Sequence, residues 1–320
     1  MKFCTRYFFA LIFSALFAAG CGENKDAPAI KGRIGMTCMD LTNPFFKLIA
    51  NVMTEEAAKY GYEVTALSGE LDPAKQNSQM SDFVAQGYDA IFLNPVDSRS
   101  AGQGVKAAHE AGIPVFSFDV QVSDEEASKL VSSHIGSDNF QGGQLAGESM
   151  MKALGNKGKV AVVSLPEVTS CILRVDGFKD ALKKANSPIE IVTELTGKGA
   201  RDAGYAVTTD ILQAHPDITG IFAINDPSAL GAHAAVVKAG KQNQITIVAF
   251  DASPAGKQAV FEKKLYDTPQ QFPRKMAVGT VAAFIEYLGG TAPDKRILIP
   301  CEHYRYEDSI NDESREKEQW

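Results

Sequence analysis

The chain has 320 residues, 45% of them hydrophobic and 22% charged, enough apolar material for two domains of ordinary size. Its 32 basic and 39 acidic residues give a formal net charge of −7, which argues against nucleic acid or an anionic membrane surface as a partner. The five cysteines include no CxxC pair and no metal-type spacing.

The amino end carries the first legible signal. Lys2 and Arg6 flank a basic start, Tyr7 to Phe17 is almost wholly apolar, and Ala18-Ala19-Gly20 leads into Cys21. This is the pattern of a secretory signal, expected over residues 1–20. Its apolar run is roughly half of the about 20 residues that span a bilayer. The residues before Cys21 look like a bacterial lipobox, with Ala18 where that motif usually has Leu. By that likeness Cys21 becomes the first residue of the exported chain and is acylated, which makes a lipid anchor its membrane attachment. The alternative is ordinary cleavage, with Cys21 an incidental thiol. Residues 21–32 are small, charged and include Pro28, and they read as a tether.

From Arg33 onward, short apolar runs alternate with longer amphipathic stretches. Strands are expected at Arg33 to Cys38, Glu63 to Ser68, Ala90 to Asn94 and Val115 to Phe118, with helices at Pro44 to Tyr60, Pro73 to Gln86 and Arg99 to Ala111. Gly112 suits a C-cap for the last of these. The pattern restarts after Ser137, with helices at Asn139 to Leu154, Ile172 to Ala185, Asp202 to Ala214 and Ser228 to Ala239. Strands at Lys159 to Ser164, Glu190 to Leu195, Gly220 to Ala223 and Ile245 to Phe250 fall between or after them. Such alternation predicts an α/β fold of two doubly wound parallel-sheet lobes. The segments after Asp251 are too short for a third domain and are expected to return to the first two. The lobes are then 33–137 with 272–300 and 138–271 with 301–310, joined by a multi-strand hinge. The charged stretch from Glu307, with 311–320 as a separate tail, reads as solvated. The lone tryptophan, Trp320, is expected to lie away from any ligand.

Seven short motifs occur in order: Asn43-Pro44-Phe45-Phe46, Asn94-Pro95-Val96-Asp97, Phe118-Asp119, Ser133-His134-Ile135-Gly136-Ser137-Asp138-Asn139, Arg174-Val175-Asp176-Gly177-Phe178, Ala223-Ile224-Asn225-Asp226 and Ala249-Phe250-Asp251. With these motifs the chain resembles the periplasmic sugar-binding proteins of the ribose-binding type over essentially its whole length after the tether. The resemblance implies a solute receptor of an ABC importer that holds a monosaccharide or polyol between two lobes and presents it to a permease. It also implies a monomer without a cofactor. It makes Phe45 and Phe46 ring-packing aromatics, Asn43 and Asp119 hydroxyl partners from the first lobe, and Arg174 a donor of two bonds from the second. Asn225, Asp251 and Gln271 complete the set. The chemistry is apt, because planar amides, carboxylates and guanidinium groups match paired hydroxyls while aromatic rings cover C–H faces.

Two departures bear on the ligand. Val120 stands where the ribose-binding type has an Arg, and Gly199 stands where it has a second-lobe aromatic. Thr37, Cys38, Met39, Thr169, Ser170 and Cys171 are candidates for lining the altered pocket. Plainer readings remain open for some of these residues: Asn43 and Pro44 as a helix cap, Asp251 as a turn carboxylate, Asn225-Asp226 as a cap, and Arg174 in a surface ion pair with Asp176. His134, His215 and His233 read as structural or exposed. Cys38, Cys171 and Cys301 form an odd set at wide spacing, which favours buried free thiols over a disulfide. No GxSxG, P-loop, HExxH or Rossmann fingerprint follows a strand, so no enzyme is expected. Alternatives are a sensory receptor for a sugar-like or furanosyl signal feeding a chemoreceptor or histidine kinase and, more remotely, a glycosidase using Asp119 and Asp251.

Overall fold

A computed structural model describes residues 30–317, 319 and 320. The signal over 1–20, Cys21 and most of the tether lie outside the described residues. The first unit runs β1 (Gly32–Cys38), α1 (Pro44–Ala58), β2 (Tyr62–Ser68), α2 (Pro73–Ala85), β3 (Ala90–Leu93), α3 (Gly102–Glu110), β4 (Val115–Phe118), α4 (Glu125–Leu130) and β5 (Ser133–Ser137). The chain then builds a second unit from α5 (Asn139–Leu154), β6 (Lys159–Ser164), α6 (Thr169–Lys184), β7 (Glu190–Thr196), α7 (Arg201–Ala214), β8 (Gly220–Ala223), α8 (Asp226–Lys238), β9 (Thr246–Val248) and α9 (Pro254–Phe261). It returns to the first unit with α10 (Pro273–Leu288) and β10 (Arg296–Ile299), and ends its regular structure with α11 (Tyr306–Ser309) and α12 (Glu313–Glu316).

Both sheets are parallel, with strand orders β10-β5-β4-β3-β1-β2 and β7-β6-β8-β9. In each, the order reverses beside the first strand of its unit. The carboxyl ends of strands at such a point leave a crevice where ligands bind. Isolated bridges from Asp267 to Val248 and Arg305, and from Gln270 to Asp251 and Glu302, extend the second sheet beyond β9.

Parallel strands need helices on both faces, and the apolar residues divide accordingly. On one face of the first sheet, Phe46, Ile49 and Met53 of α1 meet Met276, Val281 and Phe284 of α10. The rings of Phe92, Phe116 and Phe284 meet edge to face there, with centroids 5.8–6.0 Å apart. The opposite face packs Met80 and Phe83 of α2 against Val105 of α3. In the second unit, Val175 and Phe178 of α6 cover one face and Ala229, Ala232 and Val236 of α8 the other.

Before Asp251, two elements had no sequence signal. The helix α4 is one short turn capped by Asp124, whose side chain accepts from the Ala127 N–H. The strand β5 reads Ser-His-Ile-Gly-Ser, with little apolar character, yet all five residues are buried. Its polar side chains are satisfied one by one: Ser133 Oγ donates to the Asp294 carbonyl at 2.7 Å, His134 Nδ1 pairs with Ser117 Oγ at 3.0 Å, and Ser137 Oγ donates to Gln271 Oε1 at 2.9 Å. Burial pushes the His134 pKa down to about 3, so this histidine is neutral and structural.

The expectation of a solvated tail from Glu307 is met only in part: Glu307, Asp308, Glu313 and Lys317 are exposed, but Asp312, Arg315 and Trp320 are held against the fold. Tyr304 and Lys257, both buried, hold Asp312: Tyr304 OH donates to Asp312 Oδ2 at 2.8 Å and Lys257 Nζ lies 3.3 Å from it. Arg315 donates to Gln258 Oε1 at 3.1 Å and lies 3.9 Å over the Phe261 ring. A buried ammonium requires a paired carboxylate, and here the tail supplies it. Trp320 ends against Phe45, with ring centroids 5.1 Å apart.

Helices α5 and α6 approach unusually closely. A Cβ on Gly143 would run into the Arg174 carbonyl, and one on Gly177 into the Phe140 carbonyl. Backbone cannot yield as a side-chain tip can, so Gly143→Ala is expected to cost about 1–3 kcal/mol of stability. It should also push away the turn that carries Arg174. Urea unfolding of the variant checks the first effect, and a wild-type midpoint would refute it.

Candidate functional site

A cavity of about 440 Å³ opens between the carboxyl ends of the two sheets, within the range of small-molecule sites. Asn43, Phe45, Phe46, Asp119, Arg174, Asn225, Asp251 and Gln271 all line it. Of the further candidates, Met39, Val120, Ser170, Cys171 and Gly199 also line it, whereas Thr37, Cys38 and Thr169 do not. Thr37 instead donates to Gln79 Oε1 at 2.6 Å in a buried polar network. Cys38 turns into the core beneath β1, and Thr169 N–H donates to Ser98 Oγ at 3.0 Å, tying the start of α6 to the first unit.

Each side chain is placed by the element that carries it. Asn43 caps α1, accepting from the Phe45 N–H at 3.0 Å, and Pro44 occupies the first helical turn. That cap fixes the entry angle of the helix and sets Phe45 and Phe46 at its mouth, 5.2 Å apart and edge to face. Asp119 follows β4 in a left-handed conformation, φ 58°. Its Oδ2 accepts from Asn94 Nδ2 at 3.1 Å, while Asn94 Oδ1 accepts from the Met39 N–H at 3.1 Å. Asn225 caps α8 through Ser228 N–H at 3.0 Å, and its Nδ2 donates to the Gly199 carbonyl at 2.9 Å. The capping and ligand-facing readings of Asn43 and Asn225 therefore coexist in one geometry.

Arg174 is the centre of the second-unit wall. It is 4% exposed and pairs with Asp251, not Asp176, so the surface ion pair is ruled out. Its Nε donates to Asn139 Oδ1 at 2.8 Å, and its Nη1 donates to the Ile224 carbonyl at 2.8 Å and to Asp251 Oδ1 at 3.1 Å. The guanidinium lies 3.9 Å over the Phe250 ring. Nη2 makes no hydrogen bond to the described residues, in contrast to Nε and Nη1. Gln271 Nε2 joins at 2.7 Å from Asp251 Oδ1. A chain of bonds thus runs Ser137–Gln271–Asp251–Arg174–Asn139.

The electrostatics are acidic. Burial pushes the Asp119 pKa up to about 7, against the opposing pull of Arg174. Burial also raises Asp251, again opposed by Arg174, and it raises Asp226, reinforced by the Asp251 charge. The buried free thiols of Cys38, Cys171 and Cys301 are pushed up to about 12, about 11 and about 12 by burial, which keeps them protonated and unreactive. Among the described residues no group of His, Cys, Asp and Glu is arranged to hold a metal ion, and no helix is long and apolar enough to cross a membrane. Sequence reasoning missed several lining residues, among them Asp40, Leu71, Leu165, Ser253 and Trp320, of which Trp320 is the most distant in the chain from the rest. No spacing signal ties a residue in a charged tail to a cleft formed by residues so distant in the chain.

The two-sheet architecture and its cleft are those of a periplasmic binding protein of type I. The chain belongs to the family described as periplasmic binding protein domain, whose model matches residues 34–292. It is 34% identical over 261 residues to the ribose import binding protein of Escherichia coli, spanning 81% of this chain and 86% of that one. It is 32% identical over 262 residues to the D-apiose import binding protein of Paraburkholderia graminis, spanning 81% and 82%. Among solved structures, an ABC transporter periplasmic solute binding protein from Actinobacillus succinogenes with bound D-allose superposes with a TM-score of 0.81 at 27% identity, covering 88% of this chain and all of that one. One from Bacillus halodurans with bound myo-inositol gives 0.82 at 27% identity, covering 90% and 99%. The resemblance carried by the sequence motifs is borne out.

The raised pKa of Asp119 has a thermodynamic consequence. Between about pH 4 and pH 7 the folded chain holds a proton at Asp119 that the unfolded chain has released, so stability falls as pH rises through that window. Asp119→Asn, neutral at every pH, is expected to gain on the order of 2–4 kcal/mol at pH 8, with the gain shrinking towards pH 4. Urea unfolding at both pH values checks this, and an equal effect at the two would show that Asp119 titrates normally.

Proposed function

We propose that this protein is the extracytoplasmic solute-binding component of an ABC importer, holding a monosaccharide or related polyol in the cleft and delivering it to a membrane permease. The observation that carries the reading is the convergence of Arg174 Nη2, Asp119, Asp251 and Gln271 from both units on one cavity walled by Phe45 and Phe46. Hydroxyls of a sugar both donate and accept, so they complement carboxylates and a guanidinium together, and the rings take the apolar face. The relatives named for ribose and D-apiose import, and the solved neighbours with D-allose and myo-inositol, support the same class.

On this reading the lobes are 33–137 with 272–300 and 138–271 with 301–310, and the three passages between them form the hinge. Residues 1–20 direct export and Cys21 carries the anchor. The protein performs no bond-breaking step and acts as a monomer. Val120 removes the Arg of the ribose-binding type from the wall, which disfavours D-ribose itself as the preferred solute.

Calorimetry of the soluble chain against D-ribose, D-allose, D-apiose and myo-inositol tests the reading. At least one is expected to bind. Asp251→Ala and Arg174→Ala should each weaken that binding by roughly 1.5–3 kcal/mol, tenfold or more, because each strips a charge-assisted contact. Wild-type affinity in both folded variants would remove the site assignment.

A further inference from the structure

We propose that Trp320 is a solute-contacting residue of the cleft, its indole covering the apolar face of the bound molecule beside the Phe45 ring. The inference rests on the solute-binding reading and extends it to a residue beyond the matched family range, which ends at 292.

The tail that leads to Trp320 is anchored on the second unit. Buried Lys257 of α9 lies 3.3 Å from Asp312, Tyr304 OH donates to Asp312 at 2.8 Å, and Arg315 donates to Gln258 of α9 at 3.1 Å. Gln319 N–H then bonds back to the Ser314 carbonyl at 2.6 Å. From this base Trp320 reaches across to the first unit and meets Phe45 of α1, with ring centroids 5.1 Å apart and planes at 67°. The residue therefore bridges the two sides of the cleft.

Its placement fits a contact surface better than a core residue. Trp320 is only partly buried: it packs against the first-unit core while also lining the 440 Å³ cavity with Asp119, Arg174 and Asp251. An indole in such a position presents an apolar ring and one N–H donor to whatever fills the cavity, which suits a molecule with a C–H face bordered by hydroxyls. Gly199, by contrast, sits at φ +64° and offers no side chain, its carbonyl accepting from Asn225 Nδ2 at 2.9 Å.

Because Trp320 is the single tryptophan of the chain, its emission reports on this contact alone. With the sugar that gives calorimetric heat among D-ribose, D-allose, D-apiose and myo-inositol, titration is expected to change the emission with the same Kd and to shield the indole from acrylamide. Trp320→Ala should weaken binding about tenfold or more, and Trp320→Phe should recover most of it. Binding by wild type with unchanged emission and quenching, or a Trp320→Ala affinity equal to or tighter than wild type, overturns the role of Trp320 and leaves the solute-binding reading standing. Absence of heat with all four sugars in wild type overturns that reading and this inference with it.

Discussion

The pairing of Arg174 with Asp251 is the interaction on which the site depends. Both groups are nearly out of contact with water, at 4% and 9% exposure, and a buried charge is tolerated only when paired and hydrogen-bonded. That requirement fixes several elements at once. Arg174 must project from α6 between Asn139 at the start of α5 and the Ile224 carbonyl at the end of β8, while Asp251 must follow β9 at φ 117°. The close approach of α5 and α6 across Gly143 and Gly177 places the guanidinium where it meets those partners.

The same pair connects the site to the passages between the units. Asp251 accepts from Gln271, which precedes the return to α10, and Gln271 accepts from Ser137, which ends β5 before the first passage. The third passage is held by Gln141 of α5, whose amide exchanges two bonds with the backbone of Cys301 at 3.2 and 2.9 Å. A molecule touching Asp251 thus touches the network that runs along the passages between the units. Such a contact shifts an open and closed equilibrium only to the extent that it is made better in one state. Here both units contribute lining groups, so the state that brings them together is the one a solute stabilises.

The sequence was readable where local physics and long-range order agreed. Pro44 after Asn43, and Pro227 after Asn225-Asp226, announce helix starts directly behind strands, and a residue in that place lies at the carboxyl edge of a parallel sheet whatever its role. That is why Asn43, Asn225 and Asp251 could be put at the cleft from position alone. Apolar runs such as Ala90–Leu93 show strands because a parallel sheet buries both faces. β5 escaped because its stability comes from pairwise hydrogen bonds to Ser117, Asp294 and Gln271, partners up to 161 residues away. Thr37 and Cys38 were misplaced for a related reason: alternation along β1 turns them away from the cavity while Met39, beyond the strand end, reaches it. The tail was read only in part, because its charge suggested solvation throughout while the fold needed some of that charge. Asp312 is the counter-ion of buried Lys257, a relation invisible to composition.

The balance of buried charge narrows the chemistry the cleft can hold. One guanidinium bonds Asp251 directly and reaches Asp119 only through its charge, while Asp226 nearby is satisfied by Ser253 N–H, Ser253 Oγ and Thr268 Oγ1. Burial and mutual repulsion drive these carboxylates towards protonation. A sugar acid or sugar phosphate would add negative charge to a site that already resists its own, with Lys198 at the exposed rim as the additional cation among the lining residues. A neutral polyol instead donates hydroxyl protons to the carboxylates, replacing the water they have lost, and favours their ionised form. On the solute-binding reading proposed above, the pocket's acidity acts as a filter: the groups that make burial costly in the empty cleft are the ones that a neutral, hydroxyl-rich solute relieves.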